Sequence, residues 1–252
     1  MKNSVKLLSV FAAAVLFVAG CGKNVGTPIS RENLKAWGLG RTETRYVCSD
    51  RDYDWYIDQF DTGIYGSKNC GPACCVMAAE WYKKDFPETV EQAREYYDPG
   101  GSGWPYPTVQ NYLKHIEIPF SVVKSVDVSK MKEDITKGRI LLVPLDMKYI
   151  SAALKQEDRI HKYGSATTHY IIIKGYRVVD GKTYFEVYDP VSMGSTFQDG
   201  TPRGKDRYFL ADEVNMAITK YIDSYIAICA PEEQSALSGQ CDPEQSNTPS
   251  SD

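Results

Sequence analysis

Cys70 stands in Asn69-Cys70-Gly71-Pro72-Ala73, directly ahead of an apolar run. Pro72 suits position N1 of a helix running to about Lys84. A thiol at that place faces the positive end of the helix dipole, which favours the thiolate. Gly71 lets the backbone turn sharply and leaves room for a carbonyl group beside the sulfur. A thiolate is the nucleophile of acyl transfer. The competing reading is a buried structural cysteine. A thiolate needs a base, and the chain has three histidines. His169 opens Thr168-His169-Tyr170-Ile171-Ile172-Ile173, where a strand would fix the ring for acid–base work. A histidine needs an orienting partner. Asp189 follows Tyr184-Phe185-Glu186-Val187-Tyr188 and precedes Pro190. Asp180-Gly181 predicts a tight hairpin that returns Asp189 towards the His169 end. Ideal pairing sets Ile172 opposite Asp189, three residues from His169, or about 10 Å along a strand. A bulge, a longer turn or twist must close that gap. The plain alternatives are a strand-edge histidine bonded to backbone and an Asp-Pro turn starter.

Other residues with chemical potential are set aside. Cys70, Cys74 and Cys75 are spaced C-x3-C-C with no nearby histidine, so no metal site is expected. His115 falls at a helix end beside Lys114, and His161 lies in a charged loop. Gly100-Gly101-Ser102-Gly103 runs into Trp104-Pro105, not into a phosphate-binding helix. Trp104 and Tyr106 there either contact a substrate or belong to a packed loop. Cys48, Cys229 and Cys241 are candidates for a disulfide, as Cys48–Cys229 or Cys229–Cys241. Cys74 reads as core.

These residues need elements to hold them. Cys74, Met77, Ala78 and Trp81 form one apolar stripe on the first helix. Thr89 can cap a run Val90–Tyr97, Thr108 a run Val109–His115, and Ser129 a fourth helix ended by Gly138. Arg139–Leu145, His169–Val178, Thr183–Tyr188, Tyr208–Leu210 and Tyr221–Ile228 carry strand signals. Helices first and antiparallel strands second predict an α+β fold.

The chain has 252 residues, 42% hydrophobic and 25% charged, with formal charge −4. That supports one core-bearing domain without a basic excess for nucleic acid. Met1–Lys6 is basic and residues 7–20 are apolar except Ser9, a signal-peptide pattern too short to span a bilayer. Val18-Ala19-Gly20-Cys21 resembles the bacterial lipobox, which implies lipidation of Cys21 and export. The expected organisation is a lipoprotein signal peptide over 1–20, a lipid-anchored tether over 21–45, one domain over 46–230 and a disordered acidic tail over 231–252. Leu34, Trp37 and Leu39 could pack the tether's end on the domain.

Gln59…Cys70-Gly71-Pro72-Ala73…His169-Tyr170…Gly175-Tyr176…Asp189-Pro190 resembles the papain-like cysteine peptidases of the bacteriocin-processing type. The likeness is to their stand-alone exported relatives and covers roughly residues 50–230. It implies a papain-like fold, with the helical part packed on an antiparallel sheet. It also implies Cys70 as nucleophile, His169 as base, Asp189 as orienter and Gln59 as oxyanion donor. Gln59 lies 11 residues before Cys70, wider than the family pattern, so Asn69 is a substitute donor. Gly71 and Trp104 are the expected substrate-binding positions. No cofactor is implied. The expected partner is a peptide or cell-wall peptide, with the membrane engaged through the N-terminal lipid only. A cell-wall amidase or transpeptidase and a non-catalytic peptide-binding module remain open alternatives.

Overall fold

The computed structural model describes residues 29–155, 157–162 and 167–230. The expected signal peptide, Cys21, the start of the expected tether and the C-terminal acidic stretch with Cys241 lie outside them. The α+β class read from the sequence holds. Among the described residues the six helices are α1 (Arg31–Ala36), α2 (Cys70–Tyr82), α3 (Val90–Tyr97), α4 (Tyr106–His115), α5 (Val128–Thr136) and α6 (Ala211–Thr219). The seven strands of the same residues are β1 (Glu43–Cys48), β2 (Phe120–Lys124), β3 (Ile140–Asp146), β4 (Thr168–Val179), β5 (Lys182–Tyr188), β6 (Arg207–Leu210) and β7 (Ser224–Ile228). They form one antiparallel sheet in the order β2-β7-β3-β4-β5-β6. The long β4 pairs with β3 through its first half and with β1 through its second.

Both faces of the sheet are buried, which explains the near-continuous apolar runs of β3 and β4. Tyr170 and Ile172 of β4 face a core shared with α2, α3 and α4. Ile171 and Ile173 face the opposite core, shared with α5 and α6. Leu142 and Ile226 join the first core, and Leu141, Val143 and Ala227 the second. The strict alternation of a strand thus feeds two cores at once.

Helix α2 is the most buried helix, with ten of its thirteen residues inside. The expected single stripe is therefore replaced by burial on nearly every side, which the small residues Gly71, Ala73, Ala78 and Ala79 permit. The helix starts at Cys70, so Pro72 sits at N3 rather than N1; its missing N–H falls among the first-turn donors, which have no intrahelical acceptor. Thr89 caps α3 in a capping box with Gln92. Thr108 and Ser129 do not cap. The N-cap of α4 is Pro105, and Asp127 caps α5 by accepting from the Lys130 N–H.

The end of the expected tether is folded. Ser30 caps α1, and Leu34 and Leu39 are buried against Val179, Tyr184 and Tyr208. Cys48, Cys70, Cys74 and Cys75 carry free thiols, so the Cys48–Cys229 bridge is not formed. Cys48 lies buried beside Lys174, and burial pushes its thiol up to about 12.

Candidate active site

The hairpin forms as its sequence demands. Asp180 and Gly181 both take positive φ (48° and 78°), as a two-residue turn with this twist requires. Pairing starts at Val179↔Lys182, but the register shifts between Ile173 and Gly175. Beyond the bulge Ile172 faces Tyr188. The bulge removes one residue of the three-residue mismatch. The remaining two are spanned diagonally by the side chains themselves, a distance long side chains cover. His169 Nε2 lies 2.7 Å from Asp189 Oδ1.

Both partners are buried, His169 at 4% and Asp189 at 1% exposure. Asp189 Oδ1 also accepts from the Val191 N–H at 3.0 Å. With Nε2 engaged by Asp189, the ring's Nδ1 is the atom left for Cys70, whose ionisation is coupled to that of His169. Cys70 is the first residue of α2 and is half-buried. Burial raises its thiol, but the His169 bond and charge and the backbone N–H groups of Tyr170 and Gly71 outweigh that. The net direction is down. For His169, burial disfavours the imidazolium. The Asp189 charge and hydrogen bond, joined by Cys70, win and raise it to about 10. The two shifts share one contribution, the mutual stabilisation of a thiolate and an imidazolium, to which Asp189 adds the larger part on the His169 side.

The Asp189 turn is held from several sides. Its N–H donates to Gly204 O at 2.8 Å, and its carbonyl accepts from Tyr56 Oη at 2.9 Å. Tyr56 Oη also meets Ser192 Oγ at 2.6 Å, and that Oγ accepts from the Gly204 N–H. Asp58 accepts from the N–H groups of Phe60, Ser192 and Gly194. Any side chain at Gly204 would overlap the Asp189 carbonyl and the Tyr56 hydroxyl, so only glycine fits. Tyr56 and Asp58 carry no motif, and only the fold shows their role.

Residues 59–69 form two short 3-10 turns, Gln59–Asp61 and Gly66–Lys68. Gln59 is buried. Its backbone N–H donates to Pro190 O, and its Nε2 donates to Gly66 O at 2.8 Å. That leaves the second amide hydrogen of Gln59 for another acceptor. Asn69 has none to offer an oxyanion. Its Nδ2 donates to Thr62 O and Thr62 Oγ1, and its Oδ1 accepts from Arg94 Nε. The expectation of Asn69 as a substitute donor is corrected, because its side chain is spent on the loop.

Trp104 differs from expectation, and Gly71 packs against it. A Cβ at Gly71 would lie 3.1 Å from Trp104 Cβ and 3.6 Å from Tyr170 Cδ2. The glycine admits close packing of the helix start on Trp104. Trp104 itself is 3% exposed and packs edge-on to Tyr97 and beside Tyr112. It is a core residue under the site rather than a substrate-facing one.

Residues 55–208 match the model of the Peptidase_C39 like family. The chain belongs to that family. The membership agrees with the resemblance carried by the motifs and makes this a protein of the cysteine-peptidase type. Similar solved structures include a candidate C39-like peptidase from Bacillus anthracis (10% identity, 73% of this chain and 97% of that chain, TM-score 0.49). The peptidase domain of Streptococcus ComA, a bifunctional ABC transporter of a quorum-sensing pathway, is 12% identical over 65% of this chain and 93% of that one, TM-score 0.42. Digestive procathepsin L2 of Tenebrio molitor is 15% identical over 83% of each chain, TM-score 0.44. No curated protein matches the chain.

Proposed function

We propose that this C39-like protein is a lipid-anchored cell-envelope cysteine peptidase in which Cys70, His169 and Asp189 form the catalytic triad. The observation that carries the reading is the buried His169–Asp189 hydrogen bond, with the ionisation of Cys70, the first residue of α2, coupled to His169. Cys70 attacks the scissile carbonyl carbon as the thiolate. The carbonyl oxygen becomes an oxyanion beside the Cys70 backbone N–H and the second amide hydrogen of Gln59. Collapse of the tetrahedral adduct breaks the C–N bond, and His169 gives its proton to the leaving amine. A thioester remains on Cys70. His169 then takes a proton from water, the resulting hydroxide displaces the thiolate, and the carboxylic acid product leaves. Asp189 holds the ring so that one nitrogen faces the sulfur throughout. The substrate is a peptide or cell-wall peptide, and the domain is tethered through lipid on Cys21 after export.

Alkylation by iodoacetamide across pH tests the core of this reading. Wild type should react fast near pH 6, and His169→Ala should not. Labelling no faster than an ordinary thiol in both proteins would remove the catalytic role of Cys70. Product analysis on peptides and muropeptides then separates hydrolysis from amidase or transpeptidase outcomes. Metabolic labelling with a palmitate analogue, lost in Cys21→Ala, tests the anchor.

A further inference from the structure

Arg94 is the least expected residue near Cys70. It lies on α3, is 2% exposed, and carries no sequence motif. Its guanidinium donates to Asn69 Oδ1 at 2.5 Å and to the Lys68 carbonyl at 3.2 Å, the two residues just before the nucleophile. It also donates to the carbonyls of Gly100 and Ser102, and weakly to that of Asp98. The same group lies 5.7 Å from the Tyr65 ring and 6.0 Å from the Trp104 ring. No carboxylate oxygen is among these hydrogen-bond acceptors. Burial lowers the guanidinium's ionisation, and the four carbonyls and one amide it binds keep it a cation at neutral pH. A guanidinium bonded to the Asn69 side chain and the Lys68 carbonyl is held next to the chain position of Cys70, where its charge acts on the sulfur.

We propose that Arg94 is a positioning residue for Cys70. Its fork fixes the Lys68–Cys70 backbone through Asn69, and its charge favours the thiolate. This inference rests on Cys70 being the nucleophile. The fork also ties the Gly100–Ser102 loop to the start of α2, so three chain segments meet on one side chain. A lysine could keep the charge but could not reach several acceptors in a plane. A glutamine would lose both.

Iodoacetamide kinetics on the full chain read the two contributions without a known substrate. Arg94→Gln should move the midpoint of the alkylation profile up by about half a pH unit or more, a roughly threefold loss of thiolate on the acid limb. Arg94→Lys should bring the midpoint back near wild type. Its plateau rate should stay several-fold below wild type, because the Asn69 contact is not restored. Circular dichroism and cooperative unfolding confirm that each variant is folded. A folded Arg94→Gln with the wild-type midpoint and plateau overturns the proposal. So does failure of both variants to fold, which would make Arg94 a scaffold residue and nothing more. The His169→Ala control keeps the outcomes apart: loss of its effect in the wild-type background refutes the nucleophile itself, not Arg94.

Discussion

At Cys70 and His169 the decisive quantity is the charge of the pair. His169 is raised to about 10 against burial, with the Asp189 charge as the leading favourable cause. Cys70 is lowered by His169. The proposed triad therefore predicts activity at pH above the Cys70 ionisation and below that of His169, a bell whose alkaline limb falls near pH 10. Asp189→Asn keeps a hydrogen-bonding group but removes the negative charge. The His169 imidazolium loses its main support, so the alkaline limb should move to lower pH. The rate should fall roughly 10- to 100-fold, less than the ~10²- to 10⁴-fold cost of losing a general base. A pH–rate profile measures both, and an unmoved alkaline limb would contradict the assignment. The stability sign is the same as for any raised histidine. His169 contributes fully below its unfolded value of about 6.5, and the contribution disappears as pH rises through about 10. The wild type's advantage over Asp189→Asn in unfolding experiments should therefore shrink as pH passes that value. Residue types and order pointed to Cys70, His169 and Asp189, of which the fold brings His169 and Asp189 into a hydrogen bond. Asn69 was misread because an amide beside a nucleophile looks like a donor until Thr62 and Arg94 are seen to use it up.

At the scale of elements, the bulge in β4 brings Asp189 closer to His169 in register. Lys174 occupies it, with its chain neighbours in register at Ile173 and Gly175. Its ammonium is 1% exposed and meets Asp50 at 2.5 Å, Glu186 at 2.9 Å and Asp206 at 2.9 Å. Ser49 N–H donates to the Lys174 carbonyl at 2.7 Å, so β1 is locked to the same point. A Cβ on Gly175 would come within 2.8 Å of the Val47 carbonyl, which makes glycine the residue that lets β1 approach. The sequence announced the hairpin through Asp180-Gly181 but not the bulge. A bulge depends on tertiary partners such as Asp50 and Asp206, which are distant in the chain. Strand β1 was invisible for the same reason, since its alternation is weak and its partner is 130 residues away. Lys174→Met removes the cation and leaves buried Glu186 near Asp206 and Asp50. Breaking a buried pair in this way costs about 3–5 kcal/mol. Denaturant unfolding should show that loss, and residual protein should alkylate Cys70 more slowly because the register is less fixed. An unchanged midpoint would show that the cluster contributes no net stability.

For the molecule as a whole, the open question is where the domain begins. Composition suggested a tether to residue 45, because Gly22, Gly26, Pro28, Gly38 and Gly40 dominate that stretch. The structure shows why glycine content misled. Gly38 (φ 83°) and Gly40 (φ 141°) serve turns that fold α1 back onto the hairpin. Asp180 in the hairpin turn accepts from the N–H groups of Arg41 and Thr42. Glu43 pairs with buried Arg177 at 2.7 Å. Arg159 lies over the Trp37 ring at 4.1 Å. Leu34 and Leu39 cover Val179, Tyr184 and Tyr208. A chain of residues 46–230 would expose that third cluster and leave Arg177 without Glu43, while one of 29–230 keeps both. The two leucines alone contribute about 1.5–3 kcal/mol each by burial. The shorter chain should unfold at clearly lower denaturant, by at least about 3 kcal/mol on the same scale, and bind an apolar dye more strongly. Its Cys70 alkylation profile should still depend on His169, because the site lies at the opposite end of β4 from the β1 contact. Equal midpoints for the two chains would return residues 29–45 to the tether. A profile lost along with the stability would instead mean that the second half of β4 governs the geometry of the first.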